Sequence, residues 1–188
     1  DVRVRQDVAE INGISTRVAN LNEQIARLQV TGDEASDLRD QRDQSMDRLS
    51  KLIGVQYQNR DDGRVDVFLG GHPIVQGSTA FALTAVNDPT NSNYAKLQFE
   101  DATVARVDTG EIAGLVHQRD TDLPGRLADL NTMIGAIIAD VNTAHAAGYG
   151  RDGLNGRNFF SGTDASDIGI DARADAVDLG DVLADAHV

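Results

Sequence analysis

The chain has 188 residues, 17 of them Lys or Arg and 30 Asp or Glu, for a net charge of −13 at pH 7. That balance repels phosphate backbones. The absence of cysteine removes disulfides, thiolate metal sites and thiol catalysis, and no apolar run approaches the roughly 18 residues of a membrane span. Aromatic residues make up 4% with no Trp, so a core has to be built from Leu, Ile, Val and Ala along helix seams.

The sequence opens at Asp1 without Met, already in a helical pattern, and reads as part of a longer polypeptide. From about Val4 to Val30 the apolar repeat is seven residues. Val4, Ile11, Val18 and Ile25 fall on one heptad position, and Ile14, Leu21 and Leu28 on the other, with Asp7 as an interruption. Gly13 inside this helix costs about 1 kcal/mol relative to Ala, so neighbours must hold it. Thr31-Gly32-Asp33 punctuates the chain, with Gly32 suited to end one helix and Asp33 to cap the next. A second helix, about Glu34 to Ile53, puts Ala35, Leu38, Leu49 and Leu52 on a seam, with Arg42 and Ser45 between them. Residues 1–53 therefore read as an αα-hairpin.

At Gly54 the period changes to two. Val55 and Tyr57 alternate with polar residues, Asp61-Asp62-Gly63 makes a hairpin turn, and Val65, Val67 and Leu69 alternate again. Weaker strands follow at Ile74-Val75, Ala80–Ala85, Tyr94–Phe99 and Val104–Val107, around a polar loop from Asn87 to Asn93. Residues 54–109 form a small β domain. Helical periodicity returns over 110–147, where Ile112, Val116, Leu123, Leu127, Leu130, Ile134, Ile137 and Val141 make one stripe that Pro124 kinks or divides. Residues 148–188 read as a Gly-rich loop and an acidic tail, in which Asp175 to Ala186 suits a short helix. The fold class is α+β: an elongated antiparallel bundle of coiled-coil-like helices carrying a small inserted antiparallel β domain.

Candidate chemistry is sparse. His72, His117, His145 and His187 have no metal-ligand spacing among them. Arg60 and Arg64 flank Asp61-Asp62 where a calcium loop needs further oxygen ligands. The stretch Gly148–Gly156 follows a helix, whereas a phosphate loop leads into one. Its glycines read as a helix stop and positive-φ turns, with Phe159 and Phe160 buried where the loop folds back. No catalytic residue, cofactor or metal site is expected.

Three segments together carry a family resemblance. The first is Ile11-Asn12-Gly13-Ile14 through Ile25, with Asp37–Asp43 and Leu49–Leu52. The second is Asp62–Val67 with Gly70-Gly71 and Ile74–Gly77. The third is Gly110–Leu115, Arg119-Asp120, Leu123-Pro124, and Val141–Gly148 running to Gly153, Gly156 and Phe159-Phe160. In order and spacing over about residues 10–162 the chain resembles the hook-associated protein 1 family, the hook–filament junction proteins of the bacterial flagellum. The resemblance implies a secreted, extracellular structural subunit that is no enzyme, needs no cofactor and is exported through the flagellar type III apparatus. Its partners would be hook subunits, the second junction protein, copies of itself in a ring, and an export chaperone that grips a C-terminal region absent here. It implies a monomeric fragment without nucleic-acid or membrane contact, and makes Asn142, His145, Gly148, Gly153, Gly156, Phe159 and Phe160 structural motif residues. Two alternatives compete: an adhesin-type module binding a glycan through the Asn87–Asn93 loop and Tyr94, and a metal-dependent hydrolase assembled from distant His and Asp residues.

Overall fold

The computed structural model describes residues 1–31, 35–150 and 153–175, so the expected caps at Gly32 and Asp33 and most of the expected helix at 175–186 lie outside it. The chain divides into two compact units, Asp1–Gln118 and Arg119–Val188. The first unit contains helices α1 (Val2–Thr31), α2 (Ser36–Leu52) and α3 (Glu111–His117). Its strands among the described residues are β1 (Gln56–Asn59), β2 (Val65–Leu69), β3 (His72–Gln76), β4 (Thr79–Ala80), β5 (Thr84–Asp88) and β6 (Tyr94–Gln98). The class is α+β.

The strands follow from local chemistry. Asp61-Asp62-Gly63 closes the β1–β2 hairpin with Gly63 at φ 77°, Asn59 facing Val65, and Asp62 accepting from the Arg64 backbone N–H at 3.2 Å. Four antiparallel strands lie in the order β1-β2-β3-β4, and β5 and β6 form a separate hairpin with Asp88 facing Tyr94. In that loop the Asp88 carboxylate accepts from the Thr90 hydroxyl and N–H, which holds its pKa below the ordinary aspartate value.

The core joins helices to strands: Ile11, Val18, Leu49, Leu52, Ile53, Val67, Ile74, Val75 and Ile112 are all fully buried. On α1 the buried line runs Val4, Val8, Ile11, Ser15, Val18, Asn22, Ile25, in steps of four and three. The expected second heptad position (Ile14, Leu21, Leu28) is displaced: Leu21 is buried, but Ile14 and Leu28 lie at the seam's edge. Two of the residues that take that place, Ser15 and Asn22, are polar, so a hydrophobic pattern passes over them. Strand β2 departs from simple alternation as well, because Asp66 is buried between Val65 and Val67. Its Oδ1 accepts from the Gly77 N–H at 2.7 Å and its Oδ2 pairs with Arg60 at 3.0 Å.

The two ends of the β region meet. The Gly54 N–H donates to the Thr109 carbonyl at 3.0 Å, and Gly110, at φ 94°, passes so close to the end of α2 that a Cβ there would lie 2.8 Å from the Ile53 nitrogen. A charge cluster then ties α3 to the helix pair. Arg3 pairs with Asp7 at 2.9 Å and with Glu111 at 2.7 Å, while Arg48 holds Glu10 at 2.7 Å. Asp7 is 1% exposed with its Oδ2 unpartnered. Burial pushes its carboxyl above the ordinary aspartate range, against the pull of Arg3.

A π-helical turn, Gln118–Asp122, leads into α4 (Leu123–Ala147) of the second unit, which carries Pro124 in its first turn. The divided helix expected at Pro124 is thus a widened turn. Proline has no N–H to give, and its ring crowds the carbonyl four residues back. Of the predicted stripe, Ile112 is fully buried, but Leu123 and Leu127 are 55% exposed and Leu130 and Ile137 42%. Ile134 and Val141 of the same stripe are half-buried. Strands β7 (Phe160–Ser161) and β8 (Gly169–Ile170) pair antiparallel, and a helical turn, α5 (Ala172–Asp175), follows.

Candidate functional site

The motif residues of the third segment converge on one face of α4. Helical spacing places Asn131, Gly135, Ile138, Asn142 and His145 on a line, in steps of four and three, and the chain after Gly148 returns along it. Asn142 presents its whole carboxamide to the returning backbone. Its Oδ1 accepts from the Phe159 N–H at 2.9 Å and the Phe160 N–H at 2.8 Å, and its Nδ2 donates to the Phe160 carbonyl at 3.0 Å. One side chain thereby serves the donor and acceptor of a single residue, as a neighbouring strand does.

His145, one helical turn on, meets the Arg157 carbonyl through Nδ1 at 2.8 Å. A carbonyl only accepts, so Nδ1 carries the proton. The imidazole also lies 5.5 Å from the Phe159 ring, which meets Phe160 edge-on at 4.8 Å. At the end of α4 the Gly156 N–H donates to the otherwise orphaned Ala146 carbonyl at 3.0 Å. Higher up, the Asn131 carboxamide oxygen accepts from the Ala165 N–H at 3.3 Å, and a Cβ on Gly135 would press to 3.1 Å from the Thr163 carbonyl. Asp167 closes the β7–β8 connection by accepting from the Thr163 and Asp164 N–H groups at 2.7 and 2.8 Å. Those backbone donors, Asp164 first, hold its pKa below the ordinary aspartate value.

The expected helix stop and positive-φ turns are both found here, and the expected burial of the phenylalanines changes. Gly148 stops α4 in extended backbone at φ −82°, so left-handed geometry belongs to Gly153, Gly156 and Gly162, at φ 76°, 79° and 86°. Phe159 is not buried, retaining 37% exposure, and Phe160 is half-buried. They cover one side of α4 instead of filling a core.

The same carboxamide device occurs twice on α1, where sequence reasoning missed it. Asn12 donates to the Leu83 carbonyl at 2.8 Å and accepts from its N–H at 2.9 Å. Asn22, wholly buried, donates to the Val65 and Gly77 carbonyls, both at 2.7 Å, and accepts from the Val65 N–H at 3.1 Å. Both asparagines stood inside the family-like segment, and a polar residue on an apolar helix face is the only signal that could have singled one out.

Chemically, these are pins rather than reagents. The residues that converge on α4 are amides, glycines, phenylalanines and one histidine whose Nδ1–H is committed to a carbonyl. Elsewhere His72 stacks on Phe99 at 4.5 Å, and among the described residues no three His, Asp or Glu side chains gather as metal ligands. An open depression on α1 is lined by Thr16, Arg17, Asn20, Gln24 and Gln41, without a carboxylate or imidazole.

The family model described as the flagellar hook-associated protein FlgK helical domain matches residues 1–160. The chain belongs to that family. It is 33% identical to flagellar hook-associated protein 1 of Salmonella typhimurium over 171 residues, covering 86% of this chain and 31% of that one. The Escherichia coli protein of the same name is 31% identical over the same length. Among solved structures, the flagellar hook junction protein FlgK from Burkholderia pseudomallei superposes with a TM-score of 0.68 at 26% identity, over 85% of this chain and 30% of that one. The chain thus spans about a third of the length of the FlgK relatives it matches. Both the asparagine pins on α1 and the Asn142–Phe160 return lie within the matched FlgK segment.

Proposed function

We propose that this chain is the helical-domain portion of a structural subunit that joins the hook to the filament of a bacterial flagellum and catalyses no reaction. Membership of the hook-associated family over residues 1–160 carries the reading. The physical character of the residues supports it: side chains conspicuous by position hold backbone to backbone, and apolar area stands exposed on α4, as an assembly subunit requires. The whole protein works outside the cell after export, against hook subunits, the second junction protein and further copies of itself, with a chaperone engaging a region outside this sequence. Asn142, His145, Gly148, Gly153, Gly156, Phe159 and Phe160 act structurally, doubling the chain back on α4 so that its end is stiff. No helix among the described residues is long and apolar enough to cross a membrane. The glycan-binding alternative draws no support from the relatives, and the Asn87–Asn93 loop spends its Asp88 carboxylate on its own Thr90.

Deleting the gene that encodes this chain tests the reading. The expected result is cells with bare hooks that shed filament subunits into the medium, restored to full filaments by the intact gene. Normal filaments on the deletion strain contradict it.

A further inference from the structure

The sequence holds two Asn-Gly pairs, Asn12-Gly13 and Asn155-Gly156. In such a pair the glycine amide nitrogen can reach the carboxamide carbon of the asparagine before it, because no glycine Cβ screens the approach. The nitrogen attacks once solvent hydroxide has taken its proton. The N–Cγ bond forms, the Cγ–Nδ2 bond breaks, and the carboxamide nitrogen takes up a proton from water and leaves as ammonia. Water then opens the cyclic imide at either carbonyl. One opening gives aspartate; the other gives isoaspartate, in which the backbone runs through the former side chain and is one carbon longer.

The fold treats the two pairs differently. Asn12 spends its carboxamide on both backbone groups of Leu83, at 2.8 and 2.9 Å, and Gly13 lies inside α1, where backbone N–H groups donate one turn back. Neither reactant is loose while the first unit stays folded. Asn155 is exposed, in the loop beyond α4, and its partner nitrogen is held at the helix end, where the Gly156 N–H donates to the Ala146 carbonyl at 3.0 Å. Gly156 reaches that carbonyl through a left-handed turn at φ 79°. The missing Cβ that permits the turn also leaves the nitrogen open to attack, so the capping bond restrains the reaction. That bond belongs with the rest of the return: His145 on the Arg157 carbonyl, and the three bonds of Asn142 at Phe159 and Phe160. When these let go, the cap goes with them.

We propose that Asn155 is a self-modification site, guarded by the return of residues 156–160 onto α4 and converted to aspartate or isoaspartate when that return opens. The change runs one way. It leaves a carboxylate near the carbonyl end of α4, where the helix dipole disfavours negative charge. Isoaspartate also lengthens the turn, so that Gly156 loses Ala146 while Phe159 and Phe160 stay on Asn142. The site rests on the geometry of the return alone and is independent of the flagellar reading.

Peptide mass spectrometry of the 188-residue chain, sampled over time in mildly alkaline buffer, tests it. Trypsin releases Asn155 in peptide 152–157 and Asn12 in peptide 6–17. The expected result is a gain of one mass unit at Asn155, part of it isoaspartate, while Asn12 stays intact; in full denaturant both convert. Asn142→Ala should speed Asn155 about tenfold or more, because three hydrogen bonds that hold the return are lost, and leave Asn12 unchanged. In the parent chain, rising guanidinium chloride should release Asn155 before Asn12. An Asn155 no faster in Asn142→Ala than in the parent overturns the proposal. So does release of the two asparagines at the same denaturant concentration, a result read on the parent chain even if Asn142→Ala fails to fold.

Discussion

Asn22 sits at a position where helix patterning asks for an aliphatic side chain. It is tolerated because its polar capacity is spent on β2 and the turn after β3, at Val65 and Gly77, and on the Arg42 guanidinium of α2, which donates to Oδ1 at 3.4 Å. Truncating it strands two carbonyls and one N–H in the core, each worth about 1–3 kcal/mol when left unsatisfied. Asn22→Ala should therefore cost about 3 kcal/mol or more in denaturant unfolding, and a loss under about 1 kcal/mol would show that these bonds are not what pins α1 to the sheet. Asp7 is the opposite case, a buried carboxyl with one oxygen unserved. Because its folded pKa is raised, the folded chain holds the proton more tightly than the unfolded one. This contribution to stability is complete below the ordinary value of 3.8 and is lost as pH rises through the raised value. Asp7→Asn, which removes that ionisation, should gain melting temperature relative to the parent as pH increases from acid to neutral. A difference that stays constant across that range would refute the assignment. The glycines divide in the same way. Gly13 on α1 has open space where a Cβ would stand, with nothing within 4 Å, so Gly13→Ala should stabilise by about 0.5–1 kcal/mol. Gly110→Ala meets backbone at 2.8 Å with φ 94° and should destabilise by about 2 kcal/mol or more. Equal melting shifts for the two would contradict this account of α1 and of the α2–α3 junction.

At the scale of elements, what the sequence made legible was whatever rests on short-range rules. The heptad on α1 placed Val4, Ile11, Val18 and Ile25 in the core; Asp61-Asp62-Gly63 placed a hairpin; Pro124 placed a break in the helix, realised as a π turn. The details that depend on long-range partners were not legible. Ser15 and Asn22 occupy seam positions beside Ile14 and Leu21, to which hydrophobicity assigns the seam, and the strands supplying partners to Asn22 are more than forty residues away in sequence. Asp66 is buried on bonds to the Gly77 N–H and the Arg60 guanidinium, which strand alternation does not announce. The motif Asn142, His145, Gly156, Phe159 and Phe160 was legible as a series only through family resemblance, and its meaning, a carboxamide standing in for a strand edge, emerges only in the fold. The exposure of Leu123, Leu127, Leu130 and Ile137 on α4 was not legible either, because a heptad stripe announces that a partner is wanted without saying where the partner comes from.

For the molecule as a whole, the first unit holds nearly all the buried apolar side chains: the connected core runs from Val4 to Ile112, whereas Ile138 is the one core hydrophobic of the second among the described residues. A chain ending at Gln118 should accordingly fold alone and melt cooperatively within about 5 °C of the 188-residue protein, a comparison that calorimetry makes directly. A broad or absent transition would mean that the first unit is not self-sufficient. The central claim concerns what this scaffold is for: a segment of a hook-associated subunit whose side chains hold backbone in place and whose exposed surface serves assembly. It is tested most directly by exchanging the matched segment of Salmonella typhimurium flagellar hook-associated protein 1 for residues 1–160 of this chain and imaging the flagella of cells that carry only the chimera. Filaments anchored on hooks are the predicted result; bare hooks, with the chimera folded and exported, would contradict it.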